Sequence, residues 1–189
     1  MSSVAERPRR ADAIRNRESV IRAAATVFAE KGMDAGVPEI AALAGVGKAT
    51  VYRSFRSKEH LVAAVACERL DWMTGLAVEA LSDGPAGPAF EHVLQTIAER
   101  QAGDCAIAGS MAADIHLPEL DAARARTKAA LEALMAGAQA DGAVRPDATS
   151  EDLRVLFTGV ADVLRAAGQR DPAVWRRYAR LIADALRAR

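Results

Sequence analysis

The side chains with the most distinctive chemistry lie within eleven positions of one another: Lys48, Thr50, Tyr52, Arg53 and Lys58, with the short Ala49 among them. None is a nucleophile with a base beside it. They are basic, hydrogen-bonding or small, which suits the edges of base pairs in the major groove. There Arg or Lys can meet guanine and a Thr methyl can meet thymine. Tyr52 and Lys58 are better suited to phosphate oxygens than to base edges.

To reach a groove together, such side chains must sit on a short helix that crosses a second one at a steep angle. The run from Pro38 to Glu59 has the required residues. Ala41 is small where the second helix would cross. Gly45 can take the left-handed conformation that reverses the chain. Ile40, Ala44, Val46 and Val51 supply a small shared core, and Phe55 can plug the gap beside it.

Helical spacing and turn residues divide the rest of the chain. Helices are expected over 9–31, 38–44, 48–55, 58–81, 89–102, 119–140, 150–167 and 173–188, with a weakly defined stretch around Ala106. In the first of these, Ile14, Ile21, Ala24, Ala25 and Phe28 fall near helical spacing. Gly32 reads as its C-cap. Ser57 reads as the N-cap of the long fourth helix. Aromatics are only 4% of the 189 residues, and no Val/Ile/Thr alternation suggests a strand, so the fold class is all-α with about nine helices.

The formal net charge is zero, but it is unevenly spread. Residues 1–60 carry 11 Lys/Arg against 7 Asp/Glu, and 61–189 carry 14 against 18. A basic head on an acidic body fits a chain that meets a polyanion at one end. No apolar run approaches a membrane span, and Met1 to Ala11 is polar and Arg-rich, unlike a signal peptide. Cys67 and Cys105 are far apart and read as reduced thiols, so the expected location is the cytoplasm.

Enzyme classes find no support. The chain has no Gly-x-Ser-x-Gly, GxGxxG, Walker loop or His-Glu-x-x-His, and His60, His92 and His116 are scattered. Asp114, His116 and Glu119 lack the spacing of a metal cage, and His116 is expected to bond backbone at a helix end. No metal or cofactor is expected.

Two segments resemble a known family. Arg22 to Gly32, and Ile40 to Leu61 with its Ala-Gly-Val-Gly-Lys-Ala-Thr-Val-Tyr core, are similar to the DNA-binding domain of the tetracycline-repressor (TetR) family. The likeness covers about residues 12–65. One departure concerns the start of the second helix. Many members place a Thr pair there, whereas this chain reads Ala35-Gly36-Val37-Pro38, leaving Asp34 or Gly36 to cap.

The resemblance implies a helix-turn-helix domain over 1–60 and a helical ligand-binding and dimerisation domain over 61–189. It implies a homodimer that represses by binding a palindromic operator in double-stranded DNA and is released by a small-molecule effector. The last two helices would form the dimer interface. Leu156, Val160 and Leu164 on one, and Trp175, Tyr178, Leu181 and Ile182 on the other, are the candidates. For the effector pocket the candidates are Trp72, Met73, Leu76, Ile97, Met111, Leu134, Met135 and Phe157. A non-sensing architectural DNA binder would share the head but lack a cavity, and a protein-interaction module would show no salt-dependent DNA affinity.

Overall fold

The computed structural model describes residues 6–103, 112 and 114–188, with backbone alone for 6–11 and Met33. Among these residues there are eight α-helices: α1 Glu6–Lys31, α2 Val37–Ala44, α3 Lys48–Ser54, α4 Lys58–Ser82, α5 Ala86–Gly103, α6 Pro118–Ala140, α7 Ser150–Ala166 and α8 Pro172–Leu186. There is no strand among them, only one isolated bridge between Val144 and Arg187. The fold is all-α, as expected, and the weak stretch around Ala106 lies outside the described residues.

The helices fall into two compact units. Among the described residues, the first runs to Cys67 and includes 112 and 114–120; the second holds Glu68 to Gly103 and everything from Asp121 onward.

In the first unit α1, α2 and α3 pack together. The buried stripe of α1 is Val20, Ile21, Ala24, Val27 and Phe28. Ile14 is 55% exposed and Ala25 is exposed, so both fall off the expected stripe. The physical reason is phase. Val20 and Val27 rotate the buried face away from Ala25, and Ile14 precedes the part of α1 that has helices to pack on.

In the second unit α5 lies along α8, the most extensive helix pair there. Phe90, Leu94 and Ile97 of α5, Leu134 and Ala138 of α6, and Trp175, Ala179, Ile182 and Leu186 of α8 share one buried core. Ion pairs tie its rim: Arg176 with Glu99 (3.0 Å) and Arg187 with Glu91 (3.0 Å) join α8 to α5. Gly137 permits close approach, since a Cβ there would lie 2.8 Å from the Ala86 Cβ. The buried hydroxyl of Thr127 lies 3.0 Å from the carbonyls of both Leu70 and Ala123, either of which can accept its one hydrogen. Its burial therefore leaves no unmet donor.

Helix starts are signalled locally. Thr149 caps α7 in a reciprocal box: its Oγ1 accepts from the Asp152 N–H (3.1 Å), and the Asp152 carboxylate accepts from the Thr149 N–H (2.9 Å). The Thr149 hydroxyl, then its backbone N–H, hold the Asp152 carboxyl below its ordinary value. Asp171 caps α8 through the Ala173 N–H, with Pro172 opening the helix. Replacing Thr149 with Ala removes one capping acceptor and is expected to cost about 1 kcal/mol. Urea unfolding should show a lower midpoint with unchanged slope; an unchanged midpoint would mean the box contributes nothing.

Candidate nucleic-acid interface

The interface is built on a turn. Gly45 ends α2 at φ 68°, ψ 28°, and its N–H donates to the Ala42 carbonyl (3.2 Å) while that of Val46 donates to Ala41 (3.0 Å). This left-handed cap closes α2 and redirects the chain into α3, which begins three residues later. Ile40, Ala41, Val51 and Phe55 are buried beneath it, while Ala44 and Val46 are only half-buried. Ser19 of α1 donates to the Ala44 carbonyl (3.1 Å), and the Arg17 guanidinium lies 5.0 Å from the Phe55 ring centre.

The start of α2 has no side-chain cap. Gly36 is the N-cap and has no side chain to offer. Glu39, three residues on, pairs with Lys31 of α1 at 2.7 Å. The Lys31 ammonium, then the Gly36 N–H, hold the Glu39 carboxyl below the ordinary carboxylate range. Glu39 thus fastens the first turn of α2 to the end of α1.

On α3 the buried Val51 turns Lys48, Ala49, Tyr52 and Arg53 outward, all exposed, with Thr50 half-buried. The side chains are ordered among themselves. Arg53 Nη2 donates to Thr50 Oγ1 at 3.1 Å, and Lys48 Nζ lies 5.8 Å from the Tyr52 ring centre. Lys58 opens α4, where the Ser57 hydroxyl accepts from the His60 N–H (3.3 Å). All six expected DNA-contacting residues therefore sit on α3 or the first turn of α4. The sequence reading passed over Arg56, exposed between these helices, and Arg17; local density of positive charge was the available signal.

Of the expected effector-pocket residues, Ile97, Leu134 and Met135 are in the core of the second unit, and Trp72, Met73, Leu76 and Phe157 pack half-buried against it. Met111 lies outside the described residues. The Arg100 guanidinium covers the Trp72 ring at 4.2 Å, a contact unmarked by any spacing. One surface cleft of about 440 Å³ includes Leu76, Glu79, Asp83 and His92; another of about 580 Å³ includes Arg145, Asp147, Asp184 and Arg187. His116 lies in the non-helical stretch before α6, and no three His, Cys, Asp or Glu among the described residues are grouped to hold a metal. No described helix is long and apolar enough to cross a membrane.

Of the expected dimer residues, Leu164, Trp175 and Ile182 are already buried in the chain's own core, with Trp175 at 2% exposure. They have little surface left to give to a partner. Val160 and Tyr178 are half-buried, while Leu156 and Leu181 are exposed.

Two short helices joined by a left-handed turn, with a basic, hydrogen-bonding outer face, make a helix-turn-helix: the protein is of the DNA-binding regulator class. Comparison with known proteins agrees. Residues 20–65 match the model of the bacterial regulatory proteins of the tetR family, and residues 85–188 match the C-terminal domain of SbtR-like transcriptional regulators. The chain belongs to the TetR family of transcriptional regulators.

It is similar to a TetR regulatory protein from Mycobacterium vanbaalenii, with 32% identity over 95% of this chain and 99% of that one, and a TM-score of 0.68. It is similar as well to the regulator SCO0520 of Streptomyces coelicolor, with 30% identity over 91% and 98% and a TM-score of 0.68. The repressor KstR2 of Mycolicibacterium smegmatis is 40% identical over 60 residues, a segment that spans 31% of this chain and 29% of KstR2.

Space around Gly45 is open, so a methyl there meets nothing and only the backbone conformation resists it. Gly45→Ala is therefore expected to cost about 1–2 kcal/mol. The check is thermal unfolding, and a melting temperature equal to the parent's would show that the turn relaxes.

Proposed function

We propose that the protein is a homodimeric repressor that binds a palindromic operator in the cytoplasm and releases it when a small-molecule effector binds the second unit. The observation that carries the DNA reading is the outward face of α3, where Lys48, Thr50, Tyr52 and Arg53 stand over the buried Val51. Arg53 reads base edges, where a guanidinium can pair bidentately with guanine. Tyr52 and Lys58 hold phosphates and set the register. Repression as the mode of action draws on the likeness to KstR2.

The dimer reading is supported by faces of α7 and α8 that the chain's own core does not use. On α7, Val155, Leu156, Gly159 and Val163 recur at helical spacing and all are exposed, Val163 by 68%. The same side of α8 carries Val174, Tyr178, Leu181 and Ala185, with Leu181 48% exposed. Apolar surface of this kind on two neighbouring helices suits a four-helix interface. A two-fold dimer would then present its α3 helices to half-sites ~34–36 Å apart. The effector is assigned to the cluster of Trp72, Met73, Leu76 and Phe157 around Ile97 and Leu134. It acts through whatever difference in affinity it has for the DNA-binding and released states.

Two measurements test this. Binding to duplex DNA selected from a random-sequence library, followed across a salt series, should be tight and steeply salt-dependent. Arg53→Ala should weaken it by about 1–3 kcal/mol while leaving helicity and oligomeric state intact. Unchanged affinity in that variant would remove Arg53 from the reading face. Leu181→Asp would place a charge in the apolar seam, and sedimentation should then find monomers. A variant that still sediments as a dimer places the interface elsewhere.

A further inference from the structure

Only two polar side chains are buried among the described residues, Gln101 on α5 and Thr127 on α6. Their situations differ. The Thr127 hydroxyl has the carbonyls of Leu70 and Ala123 and the hydroxyl of Thr74 around it, all at 3.0 Å. Gln101 is 8% exposed, and its amide makes no hydrogen bond among the described residues. A carboxamide brings two N–H donors and a carbonyl acceptor, and leaving them buried and unpaired destabilises a fold.

Nor is this amide sealed in. Among the described residues, Arg165 Nε is the one side-chain polar atom that is both closed off from water and without a partner. The little surface that Gln101 keeps therefore includes both polar atoms of its amide, and these open on space that a water-sized group can enter.

Its place on α5 joins that opening to the cluster to which the effector is assigned. Leu94, Ile97, Ala98, Gln101 and Ala102 form the buried stripe on the second half of α5. Gln101 is four positions beyond Ile97, about 6 Å along the same face. Arg100, next to it in sequence, covers the Trp72 ring at 4.2 Å and so brings this turn of α5 alongside the Trp72 turn of α4. Trp72 and Met73 pack against the same core.

The surroundings narrow the chemistry of an occupant. No charged side chain is buried among the described residues, so an ion held there would lack a counter-charge and be strongly disfavoured. The neighbours of Gln101 along the stripe are all apolar, which suits an apolar body with a single polar group. A carboxamide is best met by a group that sets a donor and an acceptor side by side. We propose that Gln101 anchors the effector, and that the effector is an uncharged, largely apolar molecule with an amide-like edge, such as a primary amide or a lactam. The inference rests on the effector reading above and adds to it a ligand class and the residue that selects it.

Three probes with the same flexible chain test this on the full-length protein. Octanamide carries the amide edge. Heptyl methyl ketone has CH3 in place of the NH2, and octanoate has a charge in place of the amide. A ligand that binds the folded state raises the melting temperature, so melting across a titration of each probe ranks their affinities. The parent should bind octanamide about tenfold more tightly than the ketone, as expected for one buried hydrogen bond, and octanoate more weakly still. Gln101→Met keeps the length and the unbranched shape but pairs with neither. In that variant octanamide should lose its advantage while the ketone binds as it does to the parent. Without a probe the variant should melt no lower than the parent, since an unpaired amide is removed and no bond is broken.

Equal binding of octanamide and the ketone by the parent overturns the proposal, and so does no binding of octanamide at all. A preference for octanamide that survives Gln101→Met overturns it too. A variant that melts well below the parent without a probe makes Gln101 a part of the fold, which also overturns it. Binding to a duplex selected by the parent from a random-sequence library separates this inference from the effector reading. If the ketone releases that duplex as well as octanamide does, release stands and the assignment of Gln101 alone falls. If octanamide binds through Gln101 and the duplex stays bound, the ligand site stands and release falls.

Discussion

A seven-residue helix does not hold itself together in water, because nucleation costs more than two turns of hydrogen bonds return. Everything attributed to α3 therefore depends on burial beneath it. Val51 is its one fully buried side chain, and Phe55 seals its end against α1. With those two positions packed, the remaining side chains have no choice but to face outward. The outward face of α3 is thus a by-product of where its apolar residues are held. Ser19, Lys31 and Glu39 brace the same unit from the polar side, holding α2 along α1 at both of its ends.

The second unit solves a different problem, that of helices with two apolar faces. Trp175, Ala179, Ile182 and Leu186 point α8 into the core, while Val174, Tyr178, Leu181 and Ala185 form a second stripe about 100° round the helix. A helix of this kind is over-provided for one chain. The pattern on α7 is similar, with Leu153, Ala161 and Leu164 inward and Val155, Leu156 and Val163 outward.

Much of this was legible in advance, for identifiable reasons. The helices were marked by Gly and Pro at their ends, and the turn by Gly45, because those residues act through backbone geometry that no distant contact overrides. The placement of Lys48, Tyr52 and Arg53 on the outer face of α3 followed from the turn. What escaped was set by packing between elements. Ala25 has the right spacing but the wrong phase, since only the partners of α1 fix which way it is rolled, and Ile14, in phase with Ile21 and Phe28, lies before the part of α1 that has helices to pack on. Trp175 and Ile182 were grouped with Tyr178 and Leu181 as dimer candidates, because periodicity cannot separate faces 100° apart when both are apolar. The role of Glu39 was hidden as well: its partner Lys31 is eight residues away on another helix, and no local pattern links them.

The pairing of α5 with α8 joins segments some seventy or more residues apart. The bridge between Val144 and Arg187 closes a loop of more than forty residues in the same way. Such contacts give the second unit a high contact order, and they bear on how the chain emerges during synthesis. Helices α1, α2 and α3 are neighbours in sequence and can pack while the ribosome is still making α5. The second unit has to wait. Until α8 clears the exit tunnel, Phe90, Leu94 and Ile97 lack the cover that Trp175, Ala179, Ile182 and Leu186 give them. The reading head is therefore assembled first, on a nascent chain whose other half is still incomplete.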